Sequence, residues 1–191
     1  VSVRILRAAD RAAMPWKNGG GITHEIAVGP PKADLSHFDW RVSMATIERG
    51  GPFSTFPGVD RSLSVLEGAL VLTIEGERLV QLDAASAPLA FPGDVSAIAG
   101  TPERPVRDLN VMTRRGAVDT EVTRLRRLDH HAAMAADTTL VISRAPDLGL
   151  RVARSVYELG MDDAALITDL GGAPIDISQI AEAFIIDFRR L

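Results

Sequence analysis

Turn-forming residues interrupt this chain at short intervals, and that constrains it more than any other feature. Glycine and proline cluster at Gly19-Gly20-Gly21, Gly29-Pro30-Pro31, Gly50-Gly51-Pro52, Pro57-Gly58, Pro92-Gly93 and Gly171-Gly172, with single glycines at 68, 76, 100, 116, 149 and 160. Between them lie short segments rich in Val, Ile, Leu and Thr. Many short strands separated by turn signals point to a β-sandwich or β-barrel. Long stripes with a helical period are scarce, and only 129–136 and 177–182 read as single helical turns.

Several segments carry the two-residue period of a strand. In 40–47, Trp40, Val42, Met44 and Thr46 share one face, and Arg41, Ser43 and Ala45 the other. In 22–29, Ile22, Ile26 and Val28 fall on one face with His24. Segments 62–66 and 70–74 flank Glu67-Gly68-Ala69 and read as a hairpin. Further strands are expected at 95–98, 106–113, 118–125, 140–143, 150–157, 165–169 and 183–188. So many strands exceed one small barrel. The Arg114-Arg115-Gly116 stretch marks a junction between two halves, 1–116 and 117–191.

Composition narrows the chemistry. A chain of 191 residues can bury about 70% of its unfolded surface without staples. It contains no cysteine, which excludes disulfides, thiolate metal sites and cysteine nucleophiles and fits a reducing compartment. The net charge is -4 with both signs interspersed, so the basic footprint of a nucleic-acid binder is missing. No apolar run approaches the roughly 20 residues of a membrane span, and residues 1–11 lack the apolar core of a signal peptide. A cytoplasmic protein that binds neither nucleic acid nor membrane is expected.

Three stretches concentrate unusual residues. In Pro15-Trp16-Lys17-Asn18-Gly19-Gly20-Gly21, an aromatic, a cation and an amide stand beside a permissive backbone, the ingredients of a ligand rim or of a plain turn. A phosphate cradle does not fit, because no Gly-Lys-Ser/Thr follows and the glycines lead into a strand. The second stretch, Gly51-Pro52-Phe53-Ser54-Thr55-Phe56-Pro57-Gly58-Val59-Asp60-Arg61, has the outline of a cupin's first motif. It carries a guanidinium and no imidazole where a cation would need converging donors. The third, Pro92-Gly93-Asp94 followed by 106–114, resembles a cupin's second motif without its metal-binding histidine. Asp108, Asn110 and Met112 share one strand face there, which is either solvent-exposed or lines a polar cavity; the pattern alone favours exposure. His24, His37, His130 and His131 read as structural or surface residues, and no Gly-x-Ser-x-Gly elbow supports a serine nucleophile.

Four motifs in order resemble the HutD/Ves family of the cupin superfamily: Pro15-Trp16-Lys17-Asn18-Gly19-Gly20-Gly21-x-Thr23, Trp40-Arg41-x-Ser43, the 51–61 stretch, and Asp108-x-Asn110-Val111-Met112-x-Arg114. The resemblance is strong over about residues 4–116. It implies an all-β bicupin fold, two cupin-like β-barrels (double-stranded β-helices) in one chain, with the ligand pocket in the first. It implies no established enzymatic activity, no cofactor and no metal. It implies a role in histidine utilisation, by binding a pathway intermediate such as urocanate or a formimino- or formyl-glutamate and modulating flux. Arg61 would stand where metal-binding cupins hold a glutamate, near the barrel mouth. By analogy with cupins alone, a homodimer is also possible.

The residues agree with a carboxylate-bearing ligand. Arginine pairs with carboxylate bidentately and stays charged. Arg61 and Lys17 would hold the carboxylate; Asn18, Asp108 and Asn110 would orient the ligand; Trp16 and Phe53 would wall it. The full candidate set is Trp16, Lys17, Asn18, Gly19, Gly20, Arg41, Phe53, Ser54, Asp60, Arg61, Asp108, Asn110 and Met112. A metal-independent cupin isomerase or hydrolase, with Asp108 or Glu25 as general base, is the alternative. An interaction module with a vestigial pocket is a third reading.

Overall fold

The computed structural model describes residues 1–76, 78–126, 130–131, 136–177 and 182–191. These residues are almost all strand and turn. In chain order the strands are β1 (Ser2–Leu6), β2 (Ala13–Pro15), β3 (Gly21–Gly29), β4 (Trp40–Ile47), β5 (Gly51–Pro52), β6 (Val59–Glu67), β7 (Ala69–Ile74), β8 (Arg78–Asp83), β9 (Leu89–Pro92), β10 (Ala97–Ala99) and β11 (Val106–Arg114). There follow β12 (Val118–Leu125), β13 (His130–His131), β14 (Thr138–Ser143), β15 (Leu148–Val152), β16 (Ser155–Leu159), β17 (Ala164–Thr168), β18 (Ile175–Ile177) and β19 (Ala183–Arg190). The expected helical turns at 129–136 and 177–182 fall largely outside the described residues; of the described parts, 130–131 and Ile177 are strand, and Ala136 and Glu182 lie in neither helix nor strand.

The chain forms two compact units, 12–117 and 1–11 with 118–191. Residues 1–11 group with the second unit, although no strand was expected there: β1 pairs antiparallel with β17, Ser2 opposite Thr168 and Leu6 opposite Ala164. The following turn is fastened there too, since Asp163 accepts from the Ala8 N–H at 2.8 Å and from Arg7 at 2.7 Å.

Unit 12–117 contains a six-stranded sheet, β2-β3-β4-β11-β6-β9, and a four-stranded sheet, β5-β10-β7-β8. Their apolar faces share one core that includes Ile47, Leu63, Leu70, Leu72 and Val106. The other unit repeats the scheme with a five-stranded sheet, β1-β17-β14-β19-β12, and a four-stranded sheet, β13-β18-β15-β16, around Leu148, Leu150, Leu159, Ile167 and Ile185. The all-β expectation therefore holds. Each sheet is open, and no closed barrel is found among the described residues.

Three local expectations change. Glu67-Gly68-Ala69 is no hairpin: β6 and β7 lie in different sheets, and the chain turns the corner at Gly68, with φ of 83°. A Cβ there would press on Val106 Cγ2 at 3.1 Å, so a side chain is strained by conformation and crowded by its neighbour. The true hairpin is β7–β8, with Ile74 opposite Arg78. The stretch 150–157, expected as one strand, is split by Ala153 (φ 53°) into β15 and β16, which pair with each other. In β3 the register shifts between Glu25 and Ala27, so the face joining Ile22, Ile26 and Val28 to His24 changes phase at a bulge.

Candidate functional site

Cross-strand pairing in the six-stranded sheet stacks side chains in rows on one face, because directly opposed antiparallel residues point the same way. One row runs Met14, Thr23, Ala45, Asp108, Val65 across β2, β3, β4, β11 and β6. The next runs Glu25, Ser43, Asn110, Leu63, and the third Arg41, Met112, Arg61. Apart from Glu25 and Val65, the residues of these rows line a cavity of about 550 Å³. Residues 14–18 and 52–56 supply other parts of the lining, with Leu35 from the 30–39 loop. The Asp108-Asn110-Met112 face thus lines a polar cavity instead of facing solvent. β11 lies between β4 and β6, and it is buried there from both sides.

Arg61 is the most constrained side chain of the site. It is 6% exposed, buried in the wall and not standing open at a mouth. Its guanidinium carbon lies 5.5 Å from the Phe53 ring centroid and 5.2 Å from that of Phe56, and Nη2 donates to the Ser54 carbonyl. The segment 53–56 thus wraps the cation with two aromatic faces and one acceptor, an arrangement that fixes its plane. Phe56 is braced by Phe38, centroids 6.1 Å apart, edge to face. Burial pushes the Arg61 pKa down to about 10; Asp108 opposes that shift, and the positive charge of Arg41 adds to it. No carboxylate forms a salt bridge with Arg61 among the described residues.

Arg41 is the second cation of the cavity. Its side chain is 8% exposed, and Nε donates to Glu25 Oε2 at 2.7 Å. Glu25, the other carboxylate considered as a general base, is therefore engaged with Arg41 and is not among the residues lining the cavity.

Asp108 is 3% exposed, and burial pushes its carboxyl up to about 7, partly offset by Arg61 and by the backbone of Ala45. Its Oδ1 has no hydrogen-bond partner, nor has the buried Oδ1 of Asn110 two residues on. Two orphaned acceptors in one cavity are unusual, since buried polar groups are nearly always satisfied.

The glycine-rich loop is a turn that presents its neighbours. The Trp16 N–H donates to the Gly21 carbonyl and the Gly19 N–H to the Trp16 carbonyl, both at 2.9 Å. Asn18 Oδ1 accepts from the Gly20 N–H at 2.9 Å, which closes the turn on itself. Trp16 lies over Gly21 and donates from Nε1 to Thr23 Oγ1 at 2.8 Å. The loop brings Trp16, Lys17 and Asn18 to the cavity, whereas Gly19 and Gly20 do not line it. Gly19 instead takes a left-handed φ of 64° and gives its carbonyl to Arg49.

Of the candidate set, Trp16, Lys17, Asn18, Arg41, Phe53, Ser54, Arg61, Asp108, Asn110 and Met112 converge on the cavity. Asp60 does not: strand alternation turns it away from Arg61, and it pairs at the surface with Arg115 at 2.7 Å. The candidate set left out Met14, Pro15, Thr23, Leu35, Ser43, Ala45, Pro52, Phe56 and Leu63, which also line the cavity. Alternation from Arg41 and Arg61 could have found Ser43, Ala45 and Leu63. Nothing in the pattern marks Leu35. Among the described residues no group of three His, Asp or Glu is placed to hold a metal ion, and the lining offers one carboxylate and no imidazole.

Comparison with known proteins bears on the same residues. The HutD family model matches residues 8–184. The chain belongs to the HutD family. It is 34% identical over 168 residues to an uncharacterised 21.2 kDa protein of the hutC 3′ region of Pseudomonas putida, covering 84% of each. It is 36% identical over 135 residues to protein Ves of Citrobacter koseri, covering 70% of each. The solved structure of HutD from Pseudomonas fluorescens SBW25 superposes over the whole of both chains with a TM-score of 0.88 at 29% identity. The resemblance drawn from the four motifs is thus established, and the shared architecture of this HutD-family chain is cupin-like.

Proposed function

We propose that residues 12–117 of this HutD-family chain bind a small carboxylate-bearing metabolite without transforming it. The observation that carries this is Arg61: a buried guanidinium held between two aromatic rings, bonded to one carbonyl, with no carboxylate on it. A buried cation is costly unless paired, and a carboxylate is the planar partner its remaining N–H groups fit. Arg41 and Lys17 add positive charge, while the unmatched Oδ1 atoms of Asp108 and Asn110 suit an N–H donor on the same ligand. A ligand of urocanate or formimino-/formyl-glutamate type has both features. The name of the Pseudomonas putida relative, which refers to the hutC region, supports placing that ligand in histidine utilisation, where binding would modulate flux. The same proposal takes the two units as cupin-like halves, the first carrying the ligand.

Calorimetry with urocanate and N-formylglutamate tests it. Arg61→Ala weakens binding at least tenfold, about 1.4 kcal/mol, in a variant that keeps the native circular dichroism spectrum. Unchanged affinity in that folded variant refutes the assignment. One observation favours a second reading. The Asp108 carboxyl is held near neutral, as a general base requires. In that case NMR shows one of these compounds consumed, and Asp108→Asn stops its consumption.

A further inference from the structure

We propose that Asp108 takes up a proton when an anionic ligand pairs with Arg61, so that occupancy of this cavity is coupled to protonation. This rests on the carboxylate-binding reading and adds a regulatory consequence to it. Asp108 is enclosed at 3% exposure, and its Oδ1 receives no hydrogen bond. The charged groups around it come from each neighbouring element. Arg61 projects from β6 and Arg41 from β4, Glu25 on β3 is spent on Arg41, and Lys17 stands in the 16–20 loop. His24 alternates to the opposite face of β3 from Thr23 and Glu25, and His37 pairs with Asp34 at the surface.

Arg61 is the cation whose attraction offsets the burial of Asp108. A carboxylate that pairs with Arg61 sets a second negative charge in the same enclosed space, and its repulsion counters the attraction of Arg61. This favours the neutral carboxyl. The proton also changes what the cavity offers. Ionised, Asp108 and Asn110 present two unmatched acceptors; protonated, Asp108 becomes an O–H donor beside the Asn110 acceptor. Burial already holds the carboxyl at about 7, so the uptake falls where it can be measured near neutral pH.

The test is calorimetry of N-formylglutamate and glutarate, neither of which titrates near neutrality, in buffers of low and high ionisation enthalpy. At about pH 8 the wild-type protein takes up between roughly one-half and one proton per ligand. Its affinity falls by up to about tenfold per pH unit above 7. Asp108→Asn, which imitates the neutral carboxyl, removes the uptake and keeps at about pH 8.5 the affinity that wild type shows at about pH 6. Binding without proton uptake, or an Asp108→Asn variant that is folded and weak at every pH, overturns the coupling while leaving the carboxylate site standing. If neither acid binds between about pH 5.5 and 8.5, the carboxylate-binding reading fails and takes the coupling with it.

Discussion

Arg61 and Asp108 reach into one cavity from neighbouring strands, with Arg61 opposite Met112 and Asp108 two side-chain rows away along β11. Each lessens the burial cost of the other, yet neither is relieved: Arg61 stays below its ordinary pKa and Asp108 well above its own. The sheet thus holds two opposite charges in a low-dielectric space at a separation set by strand register. Such a pair holds stability in reserve for a ligand.

The first prediction concerns stability against pH. The folded-state pKa of Asp108 is raised, from 3.8 to about 7, so the native state binds this proton more tightly than the unfolded chain. Its favourable contribution is complete below about pH 4 and lost as pH rises towards about 7. The shift of about 3 units corresponds to at most about 4 kcal/mol. Asp108→Asn therefore raises the ligand-free melting temperature at pH 8 and gives little gain near pH 4. An equal effect at both values, measured by thermal denaturation, would show that Asp108 is not strained by its burial.

Glu25 governs how much of the charge of Arg41 the cavity sees. Its carboxylate is bonded to Arg41 Nε at 2.7 Å and is 37% exposed, so the pairing is screened. Glu25→Gln keeps the hydrogen bond and removes the negative charge. At an effective dielectric near that of a protein surface this is worth some tenths of a kcal/mol to an anion. Affinity for a carboxylate ligand rises about two- to fivefold at low salt, and the gain shrinks at 0.5 M salt. A fall in affinity in calorimetry would contradict this reading of Glu25.

The three consecutive glycines have three different tolerances. A Cβ at Gly21 would lie 2.4 Å from the Thr46 carbonyl and 3.2 Å from the Trp16 ring, both held in place. At Gly19 the obstacle is the φ of 64° and the Arg49 Nη2 at 3.0 Å, a flexible side chain. At Gly20 it is the Asn18 Oδ1 at 3.1 Å. Gly21→Ala should destabilise most, by about 2 kcal/mol or more, Gly19→Ala by about 1 and Gly20→Ala least. Chemical denaturation of the three variants ranks them. Equal losses would mean that the loop yields as one piece.

Much of this was legible in the sequence, for identifiable reasons. Alternation in β4 put Arg41, Ser43 and Ala45 on one face, and that face lines the cavity. The same alternation put Asp108 with Asn110 and Met112 but could not say which way the face looked. That depends on which face of the sheet the segments around Trp16 and Phe53 close over, a tertiary fact. Asp60 was drawn into the site by its closeness in sequence to Arg61, although adjacent strand residues point apart. The corner at Gly68 read as a hairpin because a glycine between two β segments looks the same whether the chain folds back or crosses to another sheet. The bulge at Ile26 left no mark, since one extra apolar residue in an apolar strand does not disturb composition.

The last prediction uses the two tryptophans as reporters. Trp16 lines the cavity, half-buried over Gly21, whereas Trp40 packs over Gly29 and is not among the lining residues. On the proposed reading, a carboxylate held by Arg61 shares the cavity with the Trp16 ring and changes its surroundings. Trp40 keeps its own. Ligand addition therefore shifts or quenches tryptophan emission in the wild type. Trp16→Phe keeps the Trp40 emission and loses most of the ligand-dependent change. That variant also loses the Nε1–H to Thr23 hydrogen bond of 2.8 Å, worth about 1 kcal/mol. Its melting temperature should fall by about 2–4 °C in a chain of this size. A ligand response that survives undiminished in Trp16→Phe would place the bound molecule away from the glycine-rich loop and outside the cavity built by β4, β6 and β11.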